Sequence, residues 1–188
     1  MKVNAISIRA GNILEHEGKL WAVIKSEIFQ PGKGASVVQV EMRDARTGTK
    51  TNVRFRTQET VERVSLDERE YQYLYPEGDT YTFMDVENYE QIHVSREVVG
   101  EQADFLKDGM VVSIHTYEGQ PLNVTLPQTA VMTIVEADAV VKGQTAASSY
   151  KPAILENGVR VMVPPFVARG ERIVVNIQER TYVERARD

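Results

Sequence analysis

Residues 20–42 read LWAVIKSEIFQPGKGASVVQVEM. Two segments rich in β-branched and other apolar residues, 20–24 and 37–42, flank the loop-forming residues 30–36. β-Branched residues favour strands, whereas glycine and proline favour turns, so this pattern predicts a hairpin with an exposed tip. Lys33 lies between two glycines at that tip.

The residues after this hairpin continue the pattern of short strands. A turn at Thr47-Gly48 precedes an alternating segment, residues 51–56, and a further strand signal ends near Val64. Several short strands in so few residues indicate a small barrel, because closing a sheet removes its exposed edges. We therefore expect an N-terminal barrel over residues 1–64.

The rest of the chain contains an internal repeat with a spacing of 61 residues. Five residues recur at that spacing: Phe105, Gly109, Val112, Ile114 and Glu118 correspond to Phe166, Gly170, Ile173, Val175 and Glu179. Residues 152–163 also carry the Asn-Gly signature of a hairpin. About five strands in about 60 residues fit an OB-type barrel, a fold often used on oligonucleotides. We expect two such modules, at 65–127 and 128–188, and an all-β chain of three small barrels.

Only one helix is predicted. It covers residues 97–106, with Ser95 as the N-cap. Its apolar contacts would be Val98, Val99, Phe105 and Leu106.

The composition excludes several classes of protein. The 188 residues contain no cysteine and three histidines, which rules out disulfides, zinc fingers and thiol chemistry. No apolar segment approaches the roughly 20 residues that cross a bilayer. The first residues also lack the apolar stretch of a secretory signal. We therefore expect a cytoplasmic protein that makes no membrane contact.

The sequence contains no recognisable catalytic or metal-binding motif. His93 and His115 fall in predicted strands, where a structural role is the better interpretation. Asp85, Glu87 and Glu90 crowd one turn, but they lack the spacing and the glycine of a calcium-binding loop. We interpret them as a solvated acidic face, and we expect neither a metal nor a cofactor.

Charge is unevenly distributed along the chain. The formal net charge is −5, but residues 1–64 carry +4, residues 65–127 carry −10 and residues 128–188 carry +1. Such asymmetry indicates a protein with one side that faces a polyanion. The alternative is random variation of the surface.

Lys33 is the strongest candidate for a functional side chain. Glycines allow close approach of the backbone to another surface, and Pro31 stiffens the entry to the loop. A phosphate-binding P-loop is excluded, because Glu27 stands where its first glycine is required and Gly34 where it has serine or threonine. From these residues alone, a flexible solvated lysine remains the alternative.

Motifs in all three modules resemble the bacterial elongation factor P family. Residues 30–35 look like the family's lysine-bearing loop. The other matching motifs are Gln72-Tyr73-Leu74-Tyr75, Gly78-Asp79, Phe83-Met84-Asp85, Tyr89-Glu90, Tyr117-Glu118-Gly119, the spaced pattern from Lys151 to Gly170, and Tyr182-Val183 with Arg185-Ala186. The sequence departs from the family at Gly143-Gln144-Thr145-Ala146-Ala147, where the family usually has Gly-Asp-Thr-Ala-Thr.

This resemblance implies an L-shaped arrangement of an SH3-like, KOW-type barrel followed by two OB-fold barrels. It implies a monomer that binds the ribosome between the peptidyl-tRNA and exit sites and relieves stalling at consecutive prolines. The first two barrels are also similar to translation initiation factor five-A, which lacks the third.

The resemblance also assigns roles to residues. An enzyme would modify Lys33, which would contact the acceptor end of peptidyl-tRNA, supported by Pro31, Gly32 and Gly34. Further contacts with RNA or the ribosome would come from a second set of residues: Gly143, Gln144, Thr145, Ala146, Tyr182 and Arg185.

A factor of this kind needs no catalytic residue of its own. Proline is a secondary amine with a locked ring, so stalled reactants are poorly aligned, and restricting the tRNA end assists the reaction. We therefore predict a protein that is not an enzyme. The alternative is a generic OB-fold protein that binds single-stranded RNA.

Overall fold

A computed structural model describes residues 1–140 and 149–187 of the chain. The regular secondary structure of the described residues is almost entirely β-strand, which confirms the predicted all-β class. They form three antiparallel sheets of six, five and five strands.

The first sheet is built from residues 2–64 around one apolar core. Its strands are β1 (Lys2–Asn4), β2 (Ile13–His16), β3 (Lys19–Phe29), β4 (Val37–Asp44), β5 (Lys50–Arg56) and β6 (Thr60–Val64), in the order β1-β6-β2-β3-β4-β5. A single 3-10 turn, Ala5–Ser7, follows β1. Val38, Val40 and Met42 alternate along β4 and are completely buried, so one face of this strand supplies the core.

The second sheet follows directly. Its strands are β7 (Asp67–Glu77), β8 (Thr80–Asp85), β9 (Gln91–Ser95), β10 (Val111–Tyr117) and β11 (Gln120–Thr125), in the order β11-β10-β7-β8-β9. Phe83 and Phe105 are the largest completely buried side chains of the described residues. Tyr71 and Tyr73 of β7 are buried as well.

The third sheet repeats this arrangement. Its strands are β12 (Thr129–Ala137), β13 (Lys151–Leu155), β14 (Arg160–Val163), β15 (Arg172–Asn176) and β16 (Thr181–Arg185), in the order β14-β13-β12-β15-β16. When the strands of each sheet are counted along the chain, both five-stranded sheets have the order 3-2-1-4-5. A shared strand order is the expected result of one module used twice.

The predicted helix is shorter than its sequence signal. Ser95 is the N-cap, and its hydroxyl accepts a hydrogen bond from the Val98 amide at 3.4 Å, as predicted. The helix α1 covers only Arg96–Val99, and a 3-10 turn covers Glu101–Phe105. The prediction of one helix over 97–106 is wrong because Gly100 has φ of +77° and breaks the α conformation between them.

One pair of the 61-residue repeat is also not equivalent. Phe105 is completely buried, whereas Phe166 is 46% exposed. Val167 occupies the core instead and is completely buried. The repeat therefore holds for the order of the strands but not for the burial of this aromatic side chain.

The chain divides into two compact units. One contains residues 1–69 with 114–124, and the other contains residues 70–113 with 125–188. The boundaries expected at residues 64 and 127 stay a prediction. Among the described residues, no helix is long and apolar enough to span a membrane.

Candidate functional site

The hairpin β3–β4 carries Lys33, as predicted. Its pairing runs from Trp21↔Asp44 to Phe29↔Val37, with a bulge at Ile24. The loop of residues 30–36 connects the two strands and contains no regular structure. One face of β4 packs in the core, and β3 pairs with β4, so both strands are anchored to the barrel. The loop is therefore the free end of an arm.

The loop residues are exposed at the end of this arm. Pro31, Gly32, Lys33 and Gly34 all face solvent, and no other described residue pairs with the Lys33 side chain. Gly34 has φ of +140°, a conformation that side chains disfavour. The base of the loop is held where the Thr57 amide donates to the Ser36 carbonyl at 3.3 Å.

Lys25, further down the arm, differs from Lys33 because it has a partner. Its ammonium lies 2.8 Å from a carboxylate oxygen of Glu27. The hydrogen bond to Glu27, followed by the charge of that carboxylate, raises the pKa of Lys25. The positive charge of Lys25 is therefore locally compensated, while that of Lys33 is available to a partner.

Histidines outside the arm have structural partners. His93 Nδ1 lies 3.0 Å from the buried Thr82 hydroxyl, and His115 Nδ1 lies 2.8 Å from Asn123 Oδ1. Among the described residues, no group of acidic and histidine side chains is arranged to hold a metal ion.

Asp85 corrects one interpretation made from the sequence. Glu87 and Glu90 are exposed, as expected for a solvated acidic turn, but Asp85 is only 2% exposed. Its Oδ1 accepts hydrogen bonds from the amides of Glu87 and Asn88, at 2.8 and 3.3 Å. Asp85 therefore shapes the turn, because aspartate favours turns by bonding to nearby amides.

In the third sheet, the candidate contact residues that the structure describes already make contacts with nearby residues or are partly buried. The Arg185 guanidinium donates to the Phe166 carbonyl at 2.9 Å, pairs with Glu171 at 3.2 Å and lies 4.5 Å from the Phe166 ring centre. Tyr182 is half-buried on the same strand, and burial raises the pKa of its hydroxyl. The other candidates, Gly143 to Ala146, lie outside the described residues.

Two arginines near the arm were missed by the sequence analysis as site residues. Arg54 and Arg56 lie on β5 and are both exposed. Strand pairing aligns Arg56 with Val37, next to the loop, and Arg54 with Gln39. The alternation of residues 51–56 was the available signal, but only the pairing of β5 with β4 places these side chains beside the arm.

Three family models together match most of the chain. The model described as the elongation factor P KOW-like domain matches residues 4–61, the OB domain model matches 66–124, and the C-terminal model matches 130–185.

The chain belongs to the elongation factor P family.

Elongation factor P proteins from several bacteria are similar over their full length. That of Rhodospirillum centenum is 60% identical over 188 residues, covering 100% of both chains. That of Parvibaculum lavamentivorans is 56% identical, and that of Brucella suis biovar 1 is 52% identical. Each of these two covers 99% of this chain and 100% of its own. The protein is thus a translation elongation factor.

Solved structures agree on the fold. The chain is similar to a eukaryotic translation initiation factor 5A from Methanococcus jannaschii, with a TM-score of 0.59 and 24% identity. That likeness covers 67% of this chain and 92% of the other. A translation initiation factor eIF-5A family protein from Naegleria fowleri has a TM-score of 0.51 and 16% identity to this chain. That likeness covers 67% of this chain and 98% of the other. These similarities, with the family models, confirm the KOW-like and OB-like classes of the elongation factor P domains.

Proposed function

We propose that this protein binds the ribosome beside peptidyl-tRNA and stimulates peptide-bond formation at consecutive prolines. In this proposal the arm carries Lys33 to the acceptor end of the peptidyl-tRNA. The observation that carries it is the exposed, unpaired Lys33 ammonium at the end of the β3–β4 hairpin, among the described residues. Membership in the family supports the assignment of this lysine as the effector.

The proposed mechanism is positional. Peptide-bond formation at proline is slow where reactants are poorly aligned, and holding two reactants in a productive geometry lowers the barrier. A rigid hairpin with a short loop can restrict the tRNA end without any acid, base or nucleophile from this chain. We therefore propose that the protein is not an enzyme and acts as a cytoplasmic monomer.

The proposal includes a modification of Lys33. The flanking Gly32 and Gly34 carry no side chains, so an enzyme can approach the lysine closely. A longer side chain at this point would extend the reach of the arm. Residues 143–146, with Tyr182 and Arg185, are the proposed further contacts with RNA or the ribosome.

The test is synthesis of a reporter with three consecutive prolines in a translation system from which the endogenous elongation factor P has been removed. Purified wild-type protein from its native source should restore synthesis, and Lys33→Ala should restore little of it. Arg96→Gln, which removes an exposed cation from helix α1, is the control and should behave as wild type.

Full rescue by Lys33→Ala would contradict the role of the lysine. Equal affinity for free single-stranded RNA and for ribosomes that carry peptidyl-tRNA would favour the generic RNA-binding alternative.

A further inference from the structure

Arg180 has a backbone conformation that side chains disfavour. It ends the turn between β15 and β16, where its amide donates to the Asn176 carbonyl at 2.8 Å, and its φ is +56°. Few residues other than glycine adopt a positive φ, because a side chain then crowds the backbone. Strained residues concentrate at positions where the conformation serves a function.

The same turn occurs in the other two sheets with different residues at this position. In the first sheet the Gly48 amide donates to the Asp44 carbonyl at 2.9 Å, and Gly48 has φ of +77°. In the second sheet the Tyr89 amide donates to the Asp85 carbonyl, also at 2.9 Å, and Tyr89 has φ of +63°. Because glycine suffices in the first sheet, the turn itself does not require the arginine of the third.

The Arg180 side chain contacts a segment of the second sheet. Its Nη2 atom donates to the Glu101 carbonyl at 3.0 Å and lies 3.2 Å from Asp104 Oδ2. The guanidinium carbon lies 5.7 Å from the centre of the Phe105 ring. These three partners belong to the 3-10 turn between β9 and β10, in the same compact unit as the third sheet. Arginine suits this place because its planar group can donate hydrogen bonds and also contact an aromatic face.

A second turn of the third sheet reaches the same segment. The Asn157 side-chain amide, between β13 and β14, donates to the Asp104 carbonyl at 3.0 Å. Lys107, two residues beyond the 3-10 turn, pairs with Glu156 at 2.9 Å. Residues 101–107 are therefore held by both the β13–β14 turn and the β15–β16 turn.

We propose that Arg180 is a positioning residue, which holds the third sheet against residues 101–107 and thereby fixes where β16 is presented. Tyr182 and Arg185 follow it on that strand. The inference rests on the proposed function, in which these two residues contact RNA or the ribosome. A binding surface that is already in place loses less conformational freedom on binding, which raises affinity.

The competing explanation is an incidental surface contact. The side chains of Arg180 and Asp104 are 34% and 56% exposed, and exposed ion pairs contribute little to stability. On this explanation, replacing Arg180 would relax the turn and leave the third sheet in place. The position of the third sheet therefore separates the two explanations.

The first experiment measures the distance between the second and third sheets in the full chain. The chain has no cysteine, so Asp79→Cys and Arg160→Cys, at two exposed positions of one compact unit, allow a pair of spin labels to be attached. Arg180→Gly removes the side chain and relieves the backbone strain, and it should broaden the distance distribution. The matched control is Tyr89→Gly, which makes the same backbone change at a 69% exposed residue of the second sheet and should leave the distribution narrow.

The second experiment measures the consequence for synthesis of the reporter with three consecutive prolines. Arg180→Gly should raise the protein concentration needed for half-maximal synthesis while the maximum is kept, because the Lys33 loop is intact. Apparent affinity falls in proportion to the correctly positioned fraction, so a fraction of about one third would raise that concentration about threefold. Arg180→Lys, which keeps the charge, should give an intermediate value. Lys33→Ala should lower the maximum instead.

Melting curves of each variant separate a loss of position from a loss of folding. An unchanged distance distribution in folded Arg180→Gly would overturn the proposal, and so would a broadened distribution with an unchanged half-maximal concentration. If the wild-type protein did not stimulate synthesis, the proposed function would fail. The distance measurement would still decide whether Arg180 holds the third sheet.

Discussion

Gly109 and Gly170 make the same backbone hydrogen bond in two different sheets. The Gly109 amide donates to the Tyr73 carbonyl at 2.9 Å, and the Gly170 amide donates to the Ile134 carbonyl at 2.8 Å. The return bonds, from Tyr73 to Met110 and from Ile134 to Glu171, are also offset by 61 residues. The predicted equivalence of the two glycines is thereby confirmed.

The first prediction concerns these two glycines. Gly109 and Gly170 have φ of +87° and +90°. Gly109→Ala and Gly170→Ala should each lower the free energy of unfolding by about 1 to 2 kcal/mol, because a side chain is strained in that region. Space is not the cause: an added Cβ would meet nothing closer than 3.7 Å at Gly109 and nothing within 4 Å at Gly170.

Gly32→Ala is the matched control. Its Cβ would also meet nothing within 4 Å, and Gly32 is not among the glycines with positive φ. Urea unfolding should show it within about 0.5 kcal/mol of wild type. Equal stability of all three variants would contradict the assignment of strain.

The second prediction concerns the pH dependence of Asp44. This buried carboxylate accepts hydrogen bonds from the amides of Arg46 and Thr47, at 2.8 and 3.3 Å. Burial acts to raise its pKa, but these amides and the charge of Lys19 together hold the pKa below its ordinary value of 3.8. The stabilisation is therefore present above that value and is lost as pH falls through the lower folded-state pKa.

Asp44→Asn should be less stable than wild type at pH 7, and the difference should shrink as pH falls below about 4. Thermal unfolding at pH 7, 4 and 3 measures it. A difference that grows on acidification would show that the sign of the pKa change is wrong.

The third prediction concerns the ion pair of Lys107 and Glu156, inside the second compact unit. The Lys107 ammonium lies 2.9 Å from Glu156 and donates to the Val131 carbonyl at 2.6 Å, while the same carboxylate oxygen accepts from the Thr133 amide at 3.0 Å. The hydrogen bond from Lys107, followed by that from Thr133, lowers the pKa of Glu156.

A double-mutant cycle with Lys107→Met and Glu156→Gln should give a coupling of about 0.5 to 1 kcal/mol, reduced by salt, because both side chains are partly exposed. The same cycle on the more exposed pair of Lys25 and Glu27 is the comparison and should give a smaller coupling. The assignment is wrong if the exposed pair couples more strongly.

The fourth prediction concerns the mass of the protein. If Lys33 is modified, the protein from its native source should be heavier than its 188 residues require, and the added mass should map to the peptide that contains Lys33. Lys33→Arg, expressed in the same cells, should have the unmodified mass. A native protein of unmodified mass would remove the modification from the proposed function.

Local patterns explain which features were predictable. The Lys33 hairpin and the 61-residue repeat depend on residues close in sequence or on a fixed spacing, and both were predicted. The position of Gly100 within the helix signal was visible, but its positive φ depends on how the chain turns into the next segment. Burial of Asp85 and the position of Arg54 beside the arm depend on strand pairing, which no single segment reveals.

The two paired strands of the arm lie closer together along the chain than the paired strands β1 and β6 of the same barrel. Strands β3 and β4 are joined by one short loop, whereas β1 must find β6, with Lys2 opposite Glu62. Contacts between near neighbours close small loops and form early, whereas distant contacts close larger loops. During synthesis, which proceeds from the N-terminus, both strands of the hairpin emerge before β6. The turn that carries Lys33 is therefore expected to form before its barrel closes.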